Sequence, residues 1–145
     1  MKVAEVKVVY STIVKNSDRL KVISSESASQ ILKPFYEEFM DYKEASFVIL
    51  LNRSNKVIGV NKISEGGFTG TIVDAKNVFQ VALLAGATAM ILSHNHPSGT
   101  LKPSESDIQI TKKIIEFGKM IELPVLDHLI LTSEGYYSFA DEGMI

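Results

Sequence analysis

Two of the three histidines in this chain, His94 and His96, stand two residues apart at the end of the apolar run Met90-Ile91-Leu92. In an extended strand, side chains two apart point to the same face, so both imidazoles can aim at one point just beyond the strand. Residues 97–103 then form a short loop, and Ser104 is placed to cap the helix that follows. Asp107 falls in the first turn of that helix, where its carboxylate can face the strand end. Two imidazoles and one carboxylate leave a fourth tetrahedral position open to water, the pattern of a catalytic rather than a structural zinc site. A plainer reading exists for the same residues. Half-exposed histidines at a strand end are common, and Ser104-x-x-Asp107 is also a capping box, although Glu is the more usual partner. The two readings are compatible, because a carboxylate there can favour the helix dipole and still ligate a metal.

Asp127 and His128 are polar neighbours in an otherwise apolar run. Neighbours on a strand face opposite ways, so at most one of them can point toward a metal. Their expected role is structural or supporting hydrogen bonding, for instance a carboxylate orienting an imidazole ligand. If Asp107 were only a cap, His128 would be the next candidate for third ligand. Asn95 points away from the ligand face of a regular strand, which leaves it a supporting role.

The elements that must position these groups are legible in outline. Alternation over residues 3–13 predicts an N-terminal strand. Helical spacing of Ile31, Leu32, Phe35, Tyr36 and Phe39 predicts a helix over residues 25–40, with Pro34 expected to kink or restart it. Residues 46–51 read as a buried strand and 56–63 as its hairpin partner across the turn Asn52-Arg53-Ser54-Asn55. Gly66-Gly67 precedes a short predicted strand at 71–73. Asp74 caps a helix that Gly86 ends, and residues 88–93 form the strand leading to the histidines. A helix from Ser104 to about Ile121, a strand over 125–131 and a final strand over 136–139 complete the chain. Hairpins outnumber parallel crossovers, which predicts an α+β domain with a mixed sheet and helices against it.

Composition narrows the function classes. One hundred and forty-five residues, 46% hydrophobic and 22% charged, suit one domain over residues 1–145, with 1–23 as a strand-bearing extension. There is no cysteine, so disulfides and thiolate metal sites are excluded. No run approaches the roughly 18 apolar residues of a membrane helix, and the start lacks the pattern of a signal peptide, so the expected location is cytoplasmic. A net charge of −2, with Lys112-Lys113 the only basic doublet, argues against direct nucleic-acid binding.

Beyond these generic signals, the string Ser93-His94-Asn95-His96-Pro97-Ser98-Gly99, followed by Pro103-Ser104 and Asp107, resembles the JAB/JAMM metalloprotease motif H-x-H-x7-S-x-x-D. It is closest to the RadC branch, whose hallmark is HNHPSG. Val125-Leu126-Asp127-His128 and the ending Tyr137-Ser138-Phe139-Ala140-Asp141-Glu142-Gly143 extend the resemblance, which runs from about residue 24 onward. Longer RadC relatives carry a helix-hairpin-helix domain first, so this chain resembles a short stand-alone form. The resemblance implies a curved mixed sheet between helices, the cytidine-deaminase-like architecture, and Zn2+ held by His94, His96 and Asp107 with a water. It also implies an upstream Glu that acts as general base, and the matching position is Glu44; Glu37, Glu38 and Glu65 are its competitors. Ser104 matches the motif serine and is the implied oxyanion donor, although one hydroxyl is not expected to do that and cap a helix at full strength. The implied activity is hydrolysis of an amide bond in a peptide or protein substrate, with the groove shaped by residues 65–71 and the loop after His96. Two rivals stand beside it: a DNA-repair-associated factor that binds rather than cleaves, and a catalytically silent assembly module.

Overall fold

Ser24 starts the first helix. Its hydroxyl accepts the Ser27 N–H at 3.1 Å, and the Ser27 hydroxyl accepts the Ser24 N–H at 3.0 Å. Each bond satisfies a backbone donor that the helix α1 (Ser25–Tyr36) leaves unpaired. The computed structural model describes residues 2–7, 9–11, 13–66 and 73–145. Pro34 lies inside α1, which runs through it without restarting and ends two residues later, and residues 37–42 are turns rather than helix. So near the C-terminus, a proline leaves few helical bonds downstream to lose.

Helix α2 (Ala75–Ala85) opens on Asp74, whose carboxylate accepts the Asn77 N–H at 3.2 Å, and closes on Gly86 at φ 68°. That left-handed conformation is one glycine adopts without steric cost. Helix α3 (Glu105–Met120) opens on Ser104. Five strands form one sheet: β1 (Ala45–Leu51), β2 (Val57–Glu65), β3 (Ala89–Asn95), β4 (Val125–Leu131) and β5 (Tyr136–Ser138). Their order is β2-β1-β3-β4-β5, with β3 and β4 parallel and every other pair antiparallel.

Helices cover both faces, which is why β1 and β3 are buried along their whole length and read as unbroken apolar runs. Phe47, Ile49, Leu51 and Ile91 pack on Leu32 and Tyr36 of α1. Val48, Leu50, Met90 and Leu92 pack on Val78 and Phe79 of α2 and Ile114 of α3. This is the α+β architecture with a mixed sheet that the sequence predicts.

One predicted strand differs, and another lies mostly outside the described residues. Among the described residues of 3–13, none belongs to a strand; Val3 is 84% and Ile13 102% exposed, and the Tyr10 hydroxyl donates to the Ile58 carbonyl at 2.6 Å. Residues 20–22 pair with the edge of β2 instead: Val57 N–H donates to Leu20 O at 2.8 Å, and Val22 N–H to Asn55 O at 2.9 Å. Alternation makes a segment suited to a strand, but only a partner with open backbone groups makes it one. Of the predicted strand at 71–73, residues 71 and 72 lie outside the described residues, and Val73 is in no strand. No helix among the described residues is long and apolar enough to cross a membrane.

Candidate metal centre

His94 is the penultimate residue of β3, opposite Ser46 of β1 and Ile130 of β4. His96 lies just past the strand, where its N–H makes a further ladder bond to Leu131 O at 3.0 Å. The chain is therefore still extended at both histidines, and their side chains share the face that carries α2 and α3. Their Nε2 atoms come within 3.0 Å. After His96 the chain reverses through Gly99, at φ 84°, and the His96 Nδ1 meets the Thr100 carbonyl at 2.7 Å. That bond places the proton on Nδ1 and turns Nε2 inward.

Ser104 and Asp107 form a full capping box. Ser104 Oγ accepts the Asp107 N–H at 3.1 Å, and Asp107 Oδ2 accepts the Ser104 N–H at 2.8 Å. The same carboxylate lies 3.4 Å from His94 Nε2 through Oδ1 and 3.3 Å from His96 Nε2 through Oδ2. Capping and convergence on the imidazoles are thus one conformation rather than two alternatives. Ser104 caps with an oxygen lone pair, which leaves its hydroxyl hydrogen uncommitted by the cap.

Glu44 reaches the cluster from the turn before β1. Asn95 holds that turn from the opposite face of β3: its Oδ1 accepts the Ala45 N–H at 2.8 Å, and its Nδ2 donates to Met40 O at 2.9 Å and Lys43 O at 2.8 Å. The Glu44 carbonyl also accepts the Gly66 N–H at 2.8 Å. Glu44, His94 and His96 offer ligand atoms that all lie within 4.8 Å of one another. The competitors stand elsewhere. Glu65 pairs with Lys62 at 3.1 Å and Lys43 at 3.5 Å, and the Lys62 bond holds its carboxyl below the usual range. Glu37 and Glu38 are exposed on the turn after α1.

His128 and Asp127 face opposite ways, as their strand position requires. Asp127 turns toward the chain end, accepting from the His128 N–H at 2.7 Å, Ser138 Oγ at 2.6 Å and the Ala140 N–H at 3.0 Å. Its burial raises the carboxyl above the usual value. His128, fully buried, lies with Nε2 2.8 Å from His94 Nδ1 and Nδ1 2.6 Å from Thr111 Oγ1. A carboxylate was the expected partner of a ligating imidazole, and a histidine occupies the place. No motif in the sequence singles out Thr111. Its spacing of four from Asp107 was the available signal, since that interval keeps two side chains on one helix face.

The electrostatics of the cluster favour a cation. Burial works against the Asp107 carboxylate, but the His94 and His96 imidazoles beside it outweigh that and hold the carboxyl well below the usual range. Burial likewise opposes a charged His96, yet Asp107 and the Thr100 carbonyl raise its proton affinity above the usual imidazole value. Burial, with His94 alongside, holds His128 well below that value and so neutral. Two inward lone pairs 3.0 Å apart repel unless a proton or a metal lies between them. Ligand atoms around tetrahedral zinc, with bonds of about 2.0–2.1 Å, stand roughly 3.3–3.4 Å apart. The imidazole–carboxylate separations of 3.4 and 3.3 Å, each to a different oxygen of Asp107, are close to that spacing, and the 3.0 Å between the imidazoles is slightly inside it. The donor set fits such an ion.

Fold and site together define a mixed-sheet α+β domain with a candidate metal centre at the end of its central strand. The family model for a RadC-like JAB domain matches residues 22–144. The chain belongs to that family. Among its relatives, a UPF0758 protein of Flavobacterium johnsoniae is 50% identical over 124 residues, covering 86% of this chain and 53% of the relative. A UPF0758 protein of Porphyromonas gingivalis is 38% identical over 128 residues, covering 88% and 56%. One from Symbiobacterium thermophilum is 44% identical over 102 residues, covering 70% and 44%. The chain thus spans about half the length of the curated relatives it matches.

Proposed function

We propose that this domain is a zinc-dependent hydrolase that cleaves an amide bond, peptide or isopeptide, in a peptide or protein substrate. The observation that carries the reading is the meeting of His94, His96 and Asp107 at 3.0–3.4 Å, with a ligand atom of Glu44 within 4.8 Å of those of the two histidines. In this reading His94, His96 and Asp107 hold the metal. Bound there, zinc supplies Lewis acidity, which brings the pKa of water to about 7 and polarises a carbonyl. Glu44 takes a proton from the attacking water and returns it to the leaving amine, a contribution of roughly 10²–10⁴ in rate. The Ser104 hydroxyl hydrogen, left over by the cap, donates to the developing oxyanion. The net charge of −2 speaks against a nucleic-acid substrate.

The test is metal analysis of the purified protein, together with hydrolysis of fluorogenic peptide and isopeptide substrates with and without a chelator. Glu44→Gln should bind zinc like the parent and lose hydrolysis, since the amide keeps the shape but cannot take up the proton. A variant that turns over normally would return Glu44 to a surface role. One that loses zinc would make Glu44 a ligand. Zinc bound without turnover of any amide by the parent would favour the assembly module over the enzyme.

A further inference from the structure

Behind the metal-facing imidazoles lie two buried polar side chains to which the reading above assigns nothing, Thr111 and His128. Their hydrogen bonds allow only one arrangement of protons. The Thr111 hydroxyl donates to the Asp107 backbone carbonyl at 2.6 Å, and a carbonyl can only accept. Its one proton is used there, so at the 2.6 Å contact with His128 Nδ1 the hydroxyl must accept. His128 therefore carries its proton on Nδ1. It is 0% exposed, its ring stacks on Phe139 at 4.9 Å between centroids, and its ring nitrogens contact Thr111 and His94, not a carboxylate. A second proton would bury an unpaired charge. Its Nε2 is therefore a lone pair, and at 2.8 Å it takes the Nδ1–H of His94. His94 is left with its own lone pair on Nε2, toward Asp107 and His96.

We propose that Thr111 and His128 are positioning residues that lock His94 in the tautomer whose Nε2 lone pair is committed to a divalent metal. This deepens the metal-centre reading and rests on it. The relay starts on the helix that supplies Asp107, so α3 sets both the carboxylate and the orientation of the imidazole facing it. Unlike a supporting carboxylate, the relay is neutral and adds no negative charge behind the ligand.

Long-range 15N–1H correlation on metal-free, histidine-labelled protein reads the tautomers directly. His94 and His128 should both show Nδ1–H; Nε2–H on either would overturn the proposal. Zinc affinity by competition with a chromophoric chelator, and the absorption of bound Co2+, give the second readout. His128→Phe keeps a ring against Phe139 but removes the acceptor, and should weaken zinc ~10–100-fold and shift the cobalt bands. Thr111→Val should do the same to a smaller degree, and His128→Gln, which returns an acceptor, should recover most of the loss. Zinc affinity and cobalt bands like the parent's in His128→Phe would overturn the relay. Should that variant fail to fold, Thr111→Val and the parent's own tautomers decide. A parent that binds no divalent metal would defeat the functional reading, while its tautomers would still test the relay.

Discussion

At the scale of the residue, Asp107 holds the most concentrated set of roles. One carboxylate closes the capping box on Ser104 and lies against both imidazoles. As a cap and dipole partner alone it contributes about 0.3–1 kcal/mol. As a ligand it supplies the negative charge of the proposed ligand set, so Asp107→Asn should weaken zinc well beyond the ~10–100-fold of a supporting residue, as a zinc titration would read. Ser104→Ala removes the cap at about 1 kcal/mol and should leave zinc bound. The same carboxylate sets a pH dependence in metal-free protein. Its folded pKa is lowered, so its contribution is present above about pH 4 and lost as pH falls below that. The folded pKa of His96 is raised, so its contribution is present below about pH 6.5 and lost as pH rises through the raised value. The gap in melting temperature between parent and Asp107→Asn, measured in chelator, should therefore be widest between about pH 4 and 6.5. A gap that failed to narrow on either side of that range would show that the two groups are not coupled.

At the scale of the element, β3 delivers two opposite faces to one function. His94 faces the α3 side, while Asn95 faces the α1 side and ties down the turn that carries Glu44. Asn95→Ala leaves one buried N–H without its side-chain acceptor, at a cost of about 1–3 kcal/mol. It should lower activity by loosening Glu44 while zinc stoichiometry, read by metal analysis, stays that of the parent. Loss of zinc together with activity would mean that Asn95 supports the histidines instead. The seating of α3 depends on Gly118, where an added Cβ would stand 2.4 Å from the Leu123 carbonyl oxygen. Gly118→Ala must push the helix end off that backbone, and should cost about 1–3 kcal/mol in urea unfolding. An unchanged midpoint would show that the contact relaxes freely.

At the scale of the whole molecule, two apolar clusters on either side of the sheet hold the fold. Each fully buried aliphatic side chain contributes about 1.5–3 kcal/mol, so the core is expected to fold without a metal. Chelation should leave cooperative unfolding intact and lower the melting temperature only by linkage, about 2.7 kcal/mol at a hundredfold excess of metal over its dissociation constant. Loss of the cooperative transition by calorimetry would mark the centre as structural.

The same core explains what could be read from the sequence. Buried runs such as 46–51 and 88–93, the caps Asp74 and Ser104 and the stop at Gly86 are local signals, and each appears in the structure close to where it was expected. The sharing of a face by His94 and His96, and the placing of Asp107 in the first turn of α3, also follow from local periodicity. Where the sequence named a local pattern without its partner, tertiary structure decided. The alternating segment 3–13 found no paired strand among its described residues, while residues 20–22 bond to the backbone at the start of β2. The bonds from His94 through His128 to Thr111 join β3, β4 and α3 across separations of 34 and 17 residues, and no local spacing encodes them. Periodicity determines which way a side chain points from its own element. Only the packing of elements determines what it meets there, because hydrogen bonds depend on distances of a few tenths of an ångström that the chain sets globally.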